Sequence, residues 1–430
     1  MDGTIYAVLS RNLAEGIGSF WYLEFTRDPL VVFHEHPPLV MGLQSLVFKI
    51  CPNCFYVERL YSLLIFIVIA VLMVKIWQII SPNKNLNWLP VLFLFLLPKI
   101  AWSVSANMLE NTMGLFLLFG FYCYLKFDLS KSWFWIILMG MATYAGFLCK
   151  GFVALFVWSI PFWFFIFSEQ RKFWSMLGQS FLLIITTILS YVMTVLIWPE
   201  AFDSILNKYL TIQVLDSLAN DQTVGHRFQV VNWYLTEAFI ALFITLLFGL
   251  ILRLKWKEIF YLNRISFMLI CISLSGILPI MISMKQYSHY ITPALFFLAL
   301  GLALLGKNVW ISLSEKWQGQ SKWINYICIG LLVVEMCALW IYRDKPYRDA
   351  EAIQLVKDFE KLEGDRKVIG LHPDVAEDYG LEAYFNRYSR TSFAPNDSTR
   401  FYYISKTLIP NSHELLIRGA GYTISKSASQ

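Results

Sequence analysis

The chain has 430 residues, 57% of them hydrophobic and only 15% charged, with a mean hydropathy of +0.55 and a formal net charge of +5. Soluble domains carry roughly 25% charged residues, and a soluble chain this apolar would expose patches that aggregate. The composition excludes a soluble enzyme, a disordered chain and a fibre. The mild basicity points to the cytoplasmic loops of a membrane protein rather than to nucleic acid.

Residues 1–59 come before any apolar run long enough to cross a bilayer. They hold two amphipathic stretches, Ile5–Glu15 and Leu39–Lys49, both too short to span and suited to the interface. Ten apolar segments follow: Leu60–Ile80, Trp88–Ser105, Thr112–Phe127, Trp133–Cys149, Phe152–Ser168, Leu177–Trp198, Trp233–Leu252, Ser266–Met284, Tyr290–Gly306 and Trp323–Tyr342. With residues 1–59 outside, the inner loops carry twelve basic residues: Lys84, Lys126, Lys131, Arg171, Lys172, Arg253, Lys255, Lys257, Arg264, Lys307, Lys316 and Lys322. The opposite side has only Lys99, Lys150, Lys208, Arg227 and Lys285, so the positive-inside rule favours this orientation. It places residues 343–430 outside as well. The N-terminal segment has no signal-like apolar region to carry it across. A further transmembrane helix is therefore expected upstream of Asp2, the chain as written starting late or being truncated.

Residues 199–232 read as a long polar outer loop. Residues 343–430 read as a small α/β domain, with helices at Asp349–Leu362 and Val375–Asn386 and strands at Lys367–Leu371, near Phe401–Ile404 and near Glu414–Ile417. The expected organisation is a first outer segment (1–59), a transmembrane helical domain (60–342) and a small outer domain (343–430).

Most of the seven cysteines sit in or beside helices as small hydrophobes. Cys51-Pro-Asn-Cys54 is compatible with a redox pair or half a zinc site, but no second pair completes such a site. The plainer reading is two loop cysteines joined as a disulfide.

Ionisable groups at membrane depth usually line a cavity or a substrate path. Asp2, Glu35, His36, Lys99, Glu110, Lys150, Arg227, Lys285 and His289 all fall on the outer face. Glu335 lies mid-helix in the last segment, where a structural polar contact is the plainer reading. In Phe33-His34-Glu35-His36-Pro37-Pro38-Leu39 the prolines fix Glu35 and His36 at the membrane edge. Metal ligation by His34, Glu35 and His36, a cavity acid with a phosphate partner, and plain loop structure all stay open there. Asn107, Glu110 and Asn111 share a helix face, with a polar loop capping the next helix as the bland alternative. Lys150-Gly151 is equally well a snorkelling lysine. Lys285-Gln-Tyr-Ser-His289-Tyr290-Ile-Thr-Pro293 packs a cation, an imidazole and phenols into one outer turn and reads as an anion-binding edge.

These motifs resemble the GT-C glycosyltransferases that use a polyprenyl-phosphate-linked sugar, and within them glycosyltransferase family 39, the protein O-mannosyltransferases and aminoarabinose transferases. The matching stretches are Asp2-Gly3-Thr4-Ile5-Tyr6 running into Arg11-Asn12-Leu13-Ala14-Glu15-Gly16, Glu35-His36-Pro37-Pro38-Leu39, Glu58-Arg59-Leu60, Lys150-Gly151 and Tyr290-Ile291-Thr292-Pro293. Many members carry Asp-Glu where this chain has Asp2-Gly3, and the aminoarabinose transferases have a phosphate-contacting lysine where it has His36. The resemblance implies a GT-C fold of about ten transmembrane helices, with an additional helix just before Asp2 and interfacial helices in the first outer loop. It further implies inverting sugar transfer from a lipid-phosphate donor to an outer hydroxyl on a lipid, glycan or protein, at a bacterial inner membrane. On that reading Asp2 is the leading base, and Glu35 orients the acceptor or holds a cation. His36, Arg227, Lys285, His289 and Tyr290 meet the phosphate. No cofactor is assigned with certainty, and a divalent metal stays open. The competing readings are a transporter or lipid flippase, which would more commonly show an internal repeat, and a noncatalytic envelope-assembly protein.

Overall fold

The computed structural model describes residues 2–26, 32–52, 54, 56–81, 86–168, 172–215, 223–318, 337, 349–375, 378–395, 397, 399–406, 410 and 412–427. The chain divides into two compact units, one formed by residues 34–43 and 53–318, the other by 1–33, 44–52 and 319–430.

The first unit is a helical membrane body. Its long elements are α3 (Val57–Ile80), α6 (Leu109–Ser130), α7 (Phe134–Lys150), α8 (Ile160–Phe167), α9 (Phe173–Ile197), α10 (Gln229–Ile251), α11 (Arg264–Ile282) and α12 (Thr292–Gln318). Among the described residues, seven helical segments are long and apolar enough to cross a bilayer, and the chain is an integral membrane protein. One of the seven, Phe134–Phe167, is two legs rather than one rod. The chain reverses at Gly151 and returns as a 3-10 stretch (Gly151–Ser159) leading into α8. Thr187 on α9 shows the reversal: its hydroxyl donates to the Gly140 carbonyl (3.3 Å) and accepts from the Trp158 indole (3.4 Å). The separate segments read at 133–149 and 152–168 are thus both present.

The segment read at Trp88–Ser105 is two short helices, α4 (Leu89–Phe95) and α5 (Pro98–Ser105), with Leu97 extended between them. Pro98 is the cause, since its ring excludes the preceding residue from the helical region and it has no N–H to donate. Apart from Cys337, the last expected span, Trp323–Tyr342, lies outside the described residues, as does Glu335. The stretch read as a loop at 199–232 is largely helical from Glu200 to Leu215, the second part in π geometry.

Central in this unit is α12, whose residues Ala294 to Leu304 are almost all fully buried. Gly114 lets α6 press on it, because a Cβ there would stand 2.1 Å from the Phe296 ring. Peripheral helices turn apolar side chains outward: Leu63, Ile67 and Val71 on α3, and Phe181, Ile188 and Leu196 on α9. That is the pattern of surfaces solvated by lipid.

In the second unit, the C-terminal domain sets α13 (Ala350–Glu363) against a five-stranded mixed sheet. The strands are β3 (Val368–Leu371), β4 (Ser392–Pro395), β5 (Tyr402–Ser405), β6 (His413–Gly419) and β7 (Tyr422–Ser427), in the order β4-β3-β5-β7-β6. β3 runs parallel to β4 and β5, while β7 is antiparallel to β5 and β6. Val356, Phe359, Ile369, Phe385, Phe393, Ile404 and Ile424 form its core. The helix read at 375–386 is α14 (Tyr379–Tyr384), which Asp378 caps by accepting from the Leu381 N–H (2.9 Å), followed by a π turn at Phe385–Ser389. The same unit contains α1 (Asp2–Ala14), the two-residue strands β1 (Leu23–Glu24) and β2 (Val32–Phe33), and the end of α2 (Leu39–Ile50). Cys51 and Cys54 are disulfide-bonded.

Candidate active site

The polar residues of the helical body collect at one end, where α6 and α12 begin and α7 and α11 finish. Glu110 lies in the first turn of α6, completely buried, where the helix dipole favours a carboxylate. Its Oε1 pairs with the Lys150 Nζ at the end of α7 and lies 3.5 Å from His289 Nε2. Lys150 is 7% exposed, and its ammonium stands 4.0 Å above the Tyr290 ring. His289 is ringed by aromatics, with Trp102 at 5.6 Å, Tyr287 at 5.7 Å and Tyr290 at 4.9 Å between ring centroids.

Local sequence explains why these groups meet. Gly151 ends α7 at φ +81°, and a Cβ there would stand 1.8 Å from the Tyr209 hydroxyl. Only glycine allows both the turn and the approach of Tyr209, which donates to the Lys150 carbonyl (3.3 Å). Burial raises the Tyr209 pKa, so this phenol keeps its proton.

The turn at 283–290 is held by Gln286, which is buried. Its side-chain amide donates to the carbonyls of Arg227 (2.9 Å), Ser283 (2.9 Å) and Ile280 (3.3 Å) and accepts from the Val230 N–H (3.2 Å). Lys99, at the start of α5, donates to the Ser288 hydroxyl (2.9 Å), while its own N–H is bound by the Glu237 carboxylate (3.2 Å).

Next to this network lies a cavity of about 260 Å³ lined by Glu35, His36, Lys150, Tyr209, Lys285 and Tyr290 on its polar side. Phe152, Val153, Val214, Pro279, Ile280 and Ile282 form an apolar wall. His36 is half-buried, and its pKa is pushed well down by burial and by the charges of Lys150, Lys285 and His289. It therefore offers a neutral imidazole, a hydrogen-bonding group rather than a cation.

Of the residues singled out in the sequence, Glu35, His36, Lys285 and Tyr290 line one cavity, and His289 packs directly behind it. Arg227 differs: its side chain is exposed and not among the lining residues, and its main-chain carbonyl is what serves Gln286. Asp2 is half-buried and opens α1 in the other unit. Glu110 and Lys150, each with a bland alternative in the sequence, are the centre of the network. Asn107 and Asn111 make structural bonds, and no side chain caps the start of α6. Asn111 exchanges hydrogen bonds with Ser103, and Asn107 accepts from Ser62 (3.3 Å).

Sequence reasoning missed Gln286, Tyr209 and Glu237. Glu237 was visible as a lone carboxylate inside an apolar run, but Tyr209 sat in a stretch taken for loop. Among the described residues no three His, Cys, Asp or Glu groups gather as metal ligands. His34 and His36 also have different surroundings, the first feeling Lys208 and Asp203, the second Lys150, Lys285 and His289.

No protein-family model matches the chain, and no curated protein matches it. Solved structures do share its fold. ArnT from Cupriavidus metallidurans in the apo state superposes with a TM-score of 0.62 at 11% identity, over 98% of this chain and 92% of that one. The same protein bound to undecaprenyl phosphate gives 0.54 at 13% identity, over 91% of this chain and 70% of that one. The chain therefore has the ArnT-like GT-C membrane fold.

Proposed function

We propose that the protein is a membrane glycosyltransferase moving a sugar from a polyprenyl-phosphate carrier to a hydroxyl acceptor on the extracytoplasmic side of a bacterial inner membrane. The observation that carries this reading is the cavity, which sets two ammonium groups, Lys150 and Lys285, against an apolar wall. That combination suits the junction of a lipid chain and its phosphate. It occurs in a fold of which one solved example, ArnT, was crystallised with undecaprenyl phosphate.

In this reading the acceptor oxygen attacks the anomeric carbon and the bond from that carbon to the phosphate oxygen breaks, with inversion. The acceptor proton passes to a carboxylate. Lys150 and Lys285, helped by the Tyr290 hydroxyl, stabilise the negative charge that develops on the departing lipid phosphate, so no strong general acid is needed. Glu110 is held by Lys150 and His289 and fixes the ammonium rather than acting as base. Asp2 is the leading base, and Glu35 on the cavity wall orients the acceptor.

The test is transfer from a panel of polyprenyl-phosphate-linked sugars by the purified chain, with undecaprenyl phosphate as competitor. Lys285→Ala should weaken donor use about ten- to a hundredfold, the loss of one charge-assisted contact of roughly 1.5–3 kcal/mol. Arg227→Ala should stay within about twofold, since its side chain is outside the cavity. Asp2→Asn should slow turnover by about two to four orders of magnitude, and Glu35→Gln by less. Failure of every donor, with no competition by undecaprenyl phosphate, would remove this reading.

A further inference from the structure

α10 leaves the cavity end of the helical body, where its Val230 N–H is bound by Gln286, and α11 returns there, finishing at Ile282 on the cavity wall. The 19 residues of α11 rise about 28 Å, close to the roughly 30 Å of a bilayer's hydrocarbon core. The connection between the two helices, residues 252–263, therefore lies at the opposite boundary of the membrane.

That connection is built rather than loose. α10 ends with Arg253 donating its N–H to the Leu250 carbonyl (2.9 Å) and Leu254 donating to that of Gly249 (3.0 Å). A single helical turn follows (Trp256–Ile259), and the Glu258 carboxylate accepts from the Lys255 N–H in front of it (2.7 Å). Ile259 is 1% exposed and packs on Gly249, where a Cβ would stand 2.7 Å from its side chain. Tyr261 donates its N–H to the Leu305 carbonyl of α12 (2.6 Å), and its ring lies 3.8 Å beneath the Lys307 ammonium. Asn263 caps α11 by accepting from the Ser266 N–H (2.8 Å).

The fixed hairpin presents two kinds of group side by side. Arg253, Lys255 and Lys257 are all exposed, and the one carboxylate between Leu252 and Arg264, Glu258, is engaged by the Lys255 N–H. Among them stand Trp256, 66% exposed, and Leu262, 69% exposed. Apolar side chains offered beside cations suit the headgroup layer, where the first enter the acyl boundary and the second stay level with the phosphates. An apolar stripe leads up to them. Leu235, Phe239, Phe243, Leu247 and Leu250 follow the three- and four-residue spacing of one helix face, and all turn outward on α10. Charge and shape agree on a molecule with an anionic head and a long apolar tail.

We propose that residues 253–262 form a binding site for an anionic phospholipid of the leaflet opposite the cavity. Arg253, Lys255 and Lys257 meet its headgroup, Trp256 and Leu262 enter the acyl boundary, and an acyl chain lies along the outward stripe of α10. The site stands whether or not the protein transfers sugar.

The test is native mass spectrometry of the full chain in detergent, titrated with phosphatidylglycerol or with phosphatidylcholine of the same acyl chains. A cation at an anionic lipid surface contributes about fivefold in affinity, so the three together should favour phosphatidylglycerol by up to about a hundredfold. Arg253→Gln, Lys255→Gln and Lys257→Gln combined should reduce that preference to within about threefold, and each alone should lower it about fivefold. The single variants decide the matter if the triple one does not accumulate. Lys126→Gln with Lys172→Gln removes two cations expected on the same side of the membrane and should leave the preference unchanged. Equal losses from both sets would replace the site by a diffuse charge effect. Equal retention of the two lipids by the parent would overturn the anionic requirement. Displacement of phosphatidylglycerol by glycerol 3-phosphate would assign the cations to a soluble phosphate instead, and dimers that vanish in the triple variant would assign the face to a second copy of the chain.

Discussion

The two units hold their key cations in opposite ways. In the helical body, Lys150 is buried against a full negative charge, Glu110, with His289 on the same oxygen. In the second unit Arg11 is as deeply buried, but what it grips most closely is a pair of neutral carbonyl dipoles, with Glu15 no nearer than 4.0 Å. A charge held by a charge depends on both partners, because removing either leaves the other ionised in a low-dielectric site. Backbone carbonyls cannot be deleted by a side-chain substitution, which leaves Asn12 Oδ1 (3.1 Å) and Glu15 as the removable partners of Arg11.

The first way to break that comparison is to break the pair. Glu110→Ala should destabilise the helical body by roughly 3–5 kcal/mol, since it strands the Lys150 ammonium. Glu110→Gln together with Lys150→Met should cost less than Glu110→Ala alone, because no buried charge then lacks a partner. Thermal unfolding in detergent measures both. A double variant less stable than the single one would show that the pair is a net source of stability rather than two mutually dependent charges.

Next in size is the turn that delivers Lys150. Gly151→Ala puts a side chain into a backbone region that costs roughly 1–3 kcal/mol and into the Tyr209 hydroxyl. Overpacking of this kind adds roughly 1–3 kcal/mol. Adding Tyr209→Ala should relieve the clash and leave the backbone strain, so that Gly151→Ala costs less in the double variant than alone. Equal costs in both backgrounds would mean that Tyr209 moves aside freely.

How much of this was legible follows from where polarity is expensive. In the helical body any polar residue inside an apolar run stands out, so the legs of the bundle, the break at Gly151 and the turn at 285–293 were all readable. Pro98 was visible too, yet the apolar run from Trp88 to Ser105 hid its effect. Glu110 and Lys150 were seen as separate oddities, because forty residues of sequence hide a salt bridge. The C-terminal domain gave less. β4 and β7 were missed, since Ser392–Pro395 is four residues long and Tyr422–Ser427 mixes Thr, Ser and Lys with a single aliphatic residue, Ile424. No pattern along the chain points to Arg11 and the π turn, whose bond joins positions 375 residues apart.

The smallest effect, and the one that sets the units apart most cleanly, is the response to pH. His36 in the helical body has a folded pKa well below its ordinary value, through burial and the neighbouring Lys150, Lys285 and His289. The unfolded chain then binds the extra proton, so this contribution to stability is complete above about pH 6.5 and is lost as the pH falls below it. The loss approaches roughly 1.4 kcal/mol per pH unit. His34, lowered by burial and by Lys208, adds in the same direction. In the C-terminal domain, Glu382 goes the other way. Burial pushes its carboxyl up to about 7, so the folded state keeps a proton that the unfolded state releases near 4.3. Its contribution is complete below about pH 4.3 and is lost as the pH rises through 7. Acidification from pH 7 to pH 5 should therefore loosen the helical body and tighten the C-terminal domain. Amide exchange, read separately over residues 57–318 and 350–427, measures both in one experiment. His36→Gln should shrink the acid response of the body and leave that of the domain intact, and Glu382→Gln should do the reverse. Parallel responses in the two units would show that neither group governs its own unit.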